Sequence, residues 1–330
     1  MRPLLMIDVA DLSHRYDDRE ALRAVSLQVP AAAMFGLLGP NGSGKTTLFR
    51  ILATLLRPTS GTARIDGCDV RTQRDDVRRR LGVVFQNPSL DGKLTVAENL
   101  RHQGRLYGLS GSPLATACDQ WLTRMGVADR AGDRVETLSG GLKRRVEMAK
   151  SLLHRPRVLL LDEPSTGLDP AARGVLMDSL AELIAADGVT VVLTTHLMDE
   201  ADRCDRVAVL DEGRLVAMDS PMALKTSIGG DVITLRGREV ASLAADVEKR
   251  SGHKAAVVGG AVCVEHPDAQ AFLPDLLAAF AGRVDSVTIG RPTLDDVFVH
   301  LTGRRLDAET ASPDRAVPRG GRGRRAGGHA

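Results

Sequence analysis

At 330 residues, with 43% apolar side chains, the chain has a normal globular composition and can bury one large core, or one large and one small. The formal net charge of +2 excludes a polycation; the seven arginines from Arg304 onward, set against Asp307, Glu309 and Asp314, leave the rest slightly acidic. Cys68, Cys118, Cys204 and Cys263 are scattered without a C-x-x-C pair, which argues against a zinc site or disulfide framework and suits a reducing compartment.

The opening MRPLLMIDVADL has too short an apolar run for a signal peptide. No segment approaches the ~20 apolar residues of a membrane span, so any role at a membrane is expected from outside the bilayer. The stretch FGLLGPNGSGKTTLFRILATLL (35–56) reads as an apolar strand, a glycine-rich loop and an amphipathic helix. Over 86–137 the pattern is helical, with Gly and Ser breaks. RVLLLDEP (157–164) is a short apolar run ended by acids, as in a buried parallel strand, and GVTVVLTTH (188–196) is another. RVAVLDEGRLVAMD (206–219) reads as a hairpin turning at Asp211, Glu212 and Gly213. Helices alternating with buried strands predict an α/β fold with a mostly parallel sheet.

A boundary is expected near Ser227, where SIGGDV (227–232) reads as a linker. Strand, helix, strand pair, helix and strand then follow, an order that resembles a small ferredoxin-like α+β unit. A last helix begins at PTLDDVFVHL (292–301), with Thr293 as cap and Asp296 closing the box. Leu294, Val297, Phe298 and Leu301 make one apolar stripe on it. The expected division is a nucleotide-binding part over 1–226 with a helical subdomain at about 87–150, an accessory part over 227–303, and an Arg/Gly-rich tail over 304–330 too polar to pack.

Gly39, Pro40, Asn41, Gly42, Ser43, Gly44, Lys45, Thr46 and Thr47 spell GPNGSGKTT, which fits the phosphate-loop pattern G-x-x-x-x-G-K-[ST]. The glycines let backbone N–H groups turn inward around an anionic chain, and the following helix points its positive end at it. Lys45 can reach the β- and γ-phosphates, and the Thr46 hydroxyl can ligand Mg²⁺. An ordinary glycine turn also fits the pattern, but an apolar strand before and a helix after weaken that alternative. The second half of such a site is an acid at the end of a buried strand. Asp162 is placed to hold Mg²⁺ and Glu163 to polarise the attacking water. Both could instead cap a strand end; two adjacent acids beside phosphate would repel unless a metal sat between them.

These residues resemble those of the ATP-binding cassette (ABC) ATPases, over roughly residues 3–226. LSGGL (138–142) resembles the family's signature sequence, VVFQNP its Q-loop, STGLDP (165–170) its D-loop and LTTHLMDEAD its switch region. The resemblance implies that Gln86 touches Mg²⁺ and the membrane partner, that His196 contacts the γ-phosphate, that Asp169 is the D-loop acid, and that Tyr16 stacks on adenine. It also implies a head-to-tail homodimer, in which Ser139, Gly140 and Gly141 of one subunit close over ATP held by the phosphate loop of the other. The family's signature commonly ends in Gln; here Leu142 stands there, while the clamp groups remain. On the signature helix, Leu142, Val146, Ala149 and Leu153 are expected to face inward, with Lys143, Arg144 and Arg145 outside.

Both RPTLDDVFVHLTGR and LDGKLTVAENL resemble the daunorubicin-resistance branch of ABC exporters. That branch implies an ATPase at the cytoplasmic face of a bacterial membrane, paired with a separate polytopic permease and exporting a drug-like or lipid-like compound. The rival is a non-transport ABC ATPase acting on a ribosome or nucleic acid. The arginine-rich tail reads as a solvated end; a sharper reading gives it anionic lipid headgroups. Nucleic acid is a weak third idea, because the tail has no aromatic to stack on bases.

Overall fold

A computed structural model describes residues 4–304. β1 (Leu5–Tyr16) and β2 (Arg19–Pro30) form a long hairpin. β3 (Met34–Leu38) leads through the glycine loop into α1 (Lys45–Leu52). β4 (Ser60–Ile65) and β5 (Cys68–Asp69) return to the hairpin and complete an antiparallel sheet ordered β2-β1-β4-β5. This sheet was not anticipated from the sequence. Register shifts interrupt β1, and Asp11 takes a positive φ of 48°, so the period-2 alternation that marks a strand is broken.

After α2 (Arg74–Arg80) and β6 (Leu81–Val84), three helices follow: α3 (Val96–Leu106), α4 (Gly111–Arg124) and α5 (Gly140–Leu152). β7 (Val158–Asp162), α6 (Pro170–Asp187), β8 (Thr190–Thr195), α7 (Met198–Ala201), β9 (Arg206–Asp211), β10 (Arg214–Asp219) and α8 (Pro221–Thr226) complete the second sheet. Its order is β10-β9-β3-β8-β7-β6, parallel throughout except for the β9–β10 hairpin. That hairpin turns on Glu212 and Gly213, both with positive φ, while Asp211 still belongs to the strand.

Both faces of the parallel sheet are covered, which is why its strands read as unbroken apolar runs. Leu159, Leu161, Val191 and Leu193 face a core shared with the helices. Val158, Leu160, Val192 and Phe35 face the antiparallel sheet, with Leu48, Phe49 and Ile51 of α1 wedged between the two. The strand carrying the glycine loop is thus clamped from both sides, and the loop leaves a rigid base.

The last sheet takes β11 (Asp231–Gly237), β12 (Ala255–Val258), β13 (Ala261–His266) and β14 (Val284–Gly290) in the order β12-β13-β11-β14, all antiparallel. With α9 (Val240–Ser251) and α10 (Ala269–Ala279) it makes the expected ferredoxin-like arrangement around its own core of Ile233, Leu235, Leu243, Val247, Val262 and Leu276. α11 (Leu294–Thr302) carries the expected capping box of Thr293 and Asp296. Its stripe is shorter than expected: Leu294, Val297 and Phe298 are buried, but Leu301 is 39% exposed. The three buried residues join the large core beside α7 and α8 rather than that of their own sheet. The stretch read as a linker contributes to the same core through Ile228, 3% exposed, and Val232. Of the Arg/Gly-rich tail, only Arg304 falls among the described residues; the readings of 305–330 lie outside them.

Candidate active site

The glycine loop owes its shape to close contacts. A Cβ on Gly39 would stand 2.3 Å from the Leu210 carbonyl oxygen, and one on Gly44 2.7 Å from that of Ala21. Gly44 also takes φ 104°, open only to glycine at little cost. It precedes α1 without a side-chain cap, and the first turn holds no acid, so the N–H groups there stay available to an anion. Lys45 is buried at 4% exposure, and its Nζ donates to the carbonyls of Gly39 at 2.6 Å and Pro40 at 2.9 Å. Burial lowers its pKa, opposed by the carboxylates of Glu163 and Asp162. Ser43 Oγ is buried in the same loop with no partner, an orphaned polar atom of the kind a bound oxyanion satisfies. Thr46 is exposed at the helix start and Thr47 is buried behind it.

Asp162 ends β7, 7% exposed, and accepts from Thr194 Oγ1 at 2.7 Å. Burial pushes its carboxyl pKa up. The same Thr194 hydroxyl accepts from the backbone N–H of Glu163 at 2.9 Å. Thr194 therefore braces both acids, and it holds Glu163 in a left-handed conformation, φ 45°, unusual for a residue with a side chain. Sequence reasoning missed Thr194. The signal would have been the pairing of β7 with β8, which sets Thr194 opposite Asp162.

The Glu163 carboxylate is the meeting point of the predicted catalytic residues. It accepts from Gln86 Nε2 at 3.1 Å and from Thr166 Oγ1 at 3.2 Å, and His196 Nδ1 stands 3.4 Å away as an ion-pair partner, without hydrogen-bond alignment. His196 holds the Glu163 pKa below its usual value against the effect of burial, and Glu163 raises that of His196. The pair stabilises the fold above the ordinary carboxylate range, where Glu163 is ionised, and below the raised pKa of His196. That contribution is lost as pH rises through the folded-state pKa of His196, and again as pH falls through that of Glu163. The melting-temperature difference between the wild type and His196→Gln is therefore expected to be largest between the ordinary carboxylate and imidazole ranges and to shrink as pH rises through the raised pKa of His196. A difference that stays flat over that range in calorimetry would rule the pair out.

Tyr16 closes the other end, 39% exposed and edge-on to His14 at 4.5 Å between ring centroids. His14 Nδ1 donates to the Arg57 carbonyl at 3.0 Å, which fixes the ring against which Tyr16 rests. Tyr16, Asn41, Lys45, Thr46 and Glu163 line one cavity of about 210 Å³, so residues distant in sequence surround one volume.

The signature residues do not line that cavity. Ser139 caps α5 by accepting from the Leu142 N–H at 3.4 Å, and Gly140 and Gly141 form the helix start. Asp169 caps α6 by accepting from the Ala172 N–H at 2.9 Å. On α5 one expectation is corrected. Arg144 does not face outward; it is 7% exposed and paired at 3.1 Å with Glu147, itself 2% exposed. The apolar period of α5 concealed this, because the buried charge is satisfied by a segment remote in sequence.

The sequence profile of the ABC transporter family matches residues 22–166. The chain is 39% identical over 308 residues to the daunorubicin resistance ATP-binding protein DrrA3 of Streptomyces coeruleorubidus, covering 90% of this chain and 96% of that protein. It is 38% identical to a Nod factor export ATP-binding protein I of Burkholderia lata, over 92% of this chain and 99% of the relative. Among solved structures it resembles cbiO1 from Clostridium perfringens, part of the ABC transporter complex cbiONQ, with a TM-score of 0.63 and 28% identity over 74% of this chain and 95% of that one. The cassette MJ0796, in a dimeric post-hydrolysis state bound to ADP and Pi, matches with a TM-score of 0.60 and 28% identity over 65% of this chain and 98% of that one. Since the likeness runs along nearly the whole length and not at the phosphate loop alone, the chain belongs to the ABC transporter family, as an ATP-binding subunit that hydrolyses ATP.

Proposed function

We propose that the protein is the nucleotide-binding subunit of an ABC exporter, and that it works as a homodimer at the cytoplasmic face of a membrane beside a separate multi-span permease. The observation that carries this reading is the reach of the similarity. A daunorubicin resistance ATP-binding protein and a Nod factor export ATP-binding protein match over about nine-tenths of the chain, including the accessory unit beyond the cassette. The cargo is a drug-like or lipid-like compound. Among the described residues no helix is long and apolar enough to cross a membrane. Affinity purification of the full-length protein from detergent-solubilised membranes of its host tests this. A multi-span protein should co-purify in stoichiometric amount; recovery with ribosomes or nucleic acid instead would overturn the exporter reading.

In this mechanism the backbone N–H groups at the start of α1, Ser43 Oγ and Lys45 hold the β- and γ-phosphates, and Tyr16 stacks on the adenine. Glu163 accepts a proton from the attacking water. His196 and Gln86 fix the Glu163 carboxylate and sense whether a γ-phosphate is present. The donor set of Thr46, Gln86 and Asp162 is all oxygen, which suits Mg²⁺, and the buried carboxylate of Asp162 calls for a compensating cation. Bound there with ATP, the ion would neutralise charge developing on the phosphates. Ser139, Gly140 and Gly141, with Asp169 nearby, serve the ATP held by the partner subunit. This division of labour follows the family resemblance; within this chain Ser139 caps α5 and Asp169 caps α6.

The cassette spans 1–226 and the accessory unit 227–303, with α11 packed back on the cassette core. A chain ended after Ser227 loses Ile228, Val232, Leu294, Val297 and Phe298 from that core. Each 100 Å² of apolar surface so uncovered costs about 2.5 kcal/mol. The truncated protein is expected to bind ATP but to melt lower and aggregate, as read by calorimetry and light scattering. Unchanged melting would mean the cassette is stable without its accessory unit.

A further inference from the structure

Arg144 and Glu147 do not stop at each other. Arg144 Nη1 donates to the Phe85 carbonyl at 2.7 Å, and Nη2 to the Gln86 carbonyl at 3.3 Å. Glu147 Oε1 accepts from the Ser89 N–H at 2.6 Å and from its hydroxyl at 3.3 Å. One helical turn further along, Lys150 Nζ donates to the Ser89 carbonyl and hydroxyl, both at 2.7 Å. Three side chains on α5, spaced i, i+3 and i+6, thus grip residues 85–89, which belong to no helix or strand. Gln86 reaches the other way from the same segment, to the Glu163 carboxylate at 3.1 Å.

Stability alone does not account for such a pair. Burial pushes the Glu147 carboxyl pKa up and the Arg144 guanidinium down, so each charge costs free energy to keep in place. A buried ion pair typically does no better for stability than apolar residues of the same volume. What the pair adds is direction. A guanidinium shared between two carbonyls and a carboxylate admits few arrangements of the segment it holds.

We propose that Arg144 and Glu147 are positioning residues that lock the Gln86 segment to the signature helix, so that Ser139 and Gln86 move as one body. This rests on the reading of Gln86 and Ser139 as site residues given above. Ser139 lies five residues before Arg144, about 7.5 Å along a rigid helix. When the partner's phosphate draws Ser139 in, the helix carries the Phe85 and Gln86 carbonyls with it, and Gln86 is set against Glu163 in the same movement. Engagement of one ATP at the signature is thereby coupled to alignment of the base at the other.

The test is the double variant Arg144→Met/Glu147→Leu in the full-length protein, with Mg²⁺ and ATP as the probe. It removes both charges while keeping volume, so the melting temperature should hold or rise. Hydrogen exchange at the amides of 86–90 should quicken at least about 10-fold while α5 keeps its protection. The kcat should fall about 10-fold or more with KM for ATP within about 2-fold, as expected for a misplaced group rather than a lost binding contact. Should the double variant fold poorly, Arg144→Lys serves in its place. It keeps a charge beside Glu147 but cannot reach both carbonyls, so exchange should rise and kcat fall at unchanged melting temperature. Gln86→Ala, measured alongside, separates the two readings. If it leaves kcat unchanged, the assignment of Gln86 fails and this coupling fails with it. If it lowers kcat while the double variant turns over like the wild type, the coupling alone is overturned. Exchange that quickens in α5 as well as in 86–90, or a fall in kcat with no change at 86–90, likewise reduces the pair to a structural one.

Discussion

Replacing Glu163 with glutamine is expected to leave ATP binding intact and to slow hydrolysis at least about 100-fold. The substitution keeps the shape of the side chain. It can still accept from Gln86 and Thr166, and the backbone stays pinned by Thr194 Oγ1 in its left-handed conformation. It removes the charge that can take a proton from water and leaves His196 facing an amide instead of a carboxylate. Lys45, Ser43 and the first turn of α1 are untouched, so phosphate binding is expected to persist. Trapped before hydrolysis, the variant should accumulate as an ATP-bound dimer on size-exclusion chromatography, while the wild type returns to monomer as ATP is consumed. Turnover at the wild-type rate would remove Glu163 from the mechanism.

The second large effect comes from mixing two dead proteins. Lys45→Ala removes the ammonium bridging the Gly39 and Pro40 carbonyls, and Ser139→Arg fills the exposed start of α5. Each homodimer should be nearly inactive. In a mixed dimer one composite site carries both defects. The other joins the intact loop of the Ser139→Arg chain to the intact signature of the Lys45→Ala chain. With random exchange about half the dimers are mixed, each with one good site of two, so up to about a quarter of wild-type ATPase should return. That is a ceiling, since a site that needs its neighbour would return less. Activity that stays at the level of the separate variants, with mixed dimers shown to form, would mean both motifs serve the same chain's ATP.

The contacts around Lys45 and Glu163 separate what could be read from residues alone from what could not. The loop from Gly39 to Thr47 is contiguous, and its chemistry is written in local terms: glycines where backbone must crowd, a lysine and a hydroxyl at a helix start. Asp162 and Glu163 end an apolar run, so their place at the mouth of a buried strand was also local. His196 and Gln86 were found by resemblance, and the structure brings both to the Glu163 carboxylate. Thr194 had no such signal. Its hydroxyl matters only because β7 and β8 pair in one register, and threonine in a buried strand otherwise reads as a packing residue.

By itself, the sequence determined elements whose information lies within one turn or one strand: the phosphate loop, the acid pair, the alternating α/β order, the capped last helix and the ferredoxin-like succession near the end. Periodicity and capping act over a few residues, and burial then follows their pattern. Only the tertiary structure decided what depends on partners remote along the chain. It turned Arg144 inward, because carbonyls at 85 and 86 and the carboxylate of Glu147 satisfy a charge that would otherwise seek water. It sent Leu294, Val297 and Phe298 to the cassette core rather than their own, because apolar contact has no direction and takes whichever surface the fold brings near. It also kept Ser139 out of the lining of the cavity at Lys45, since which loops meet is set by the packing between them and not by either motif.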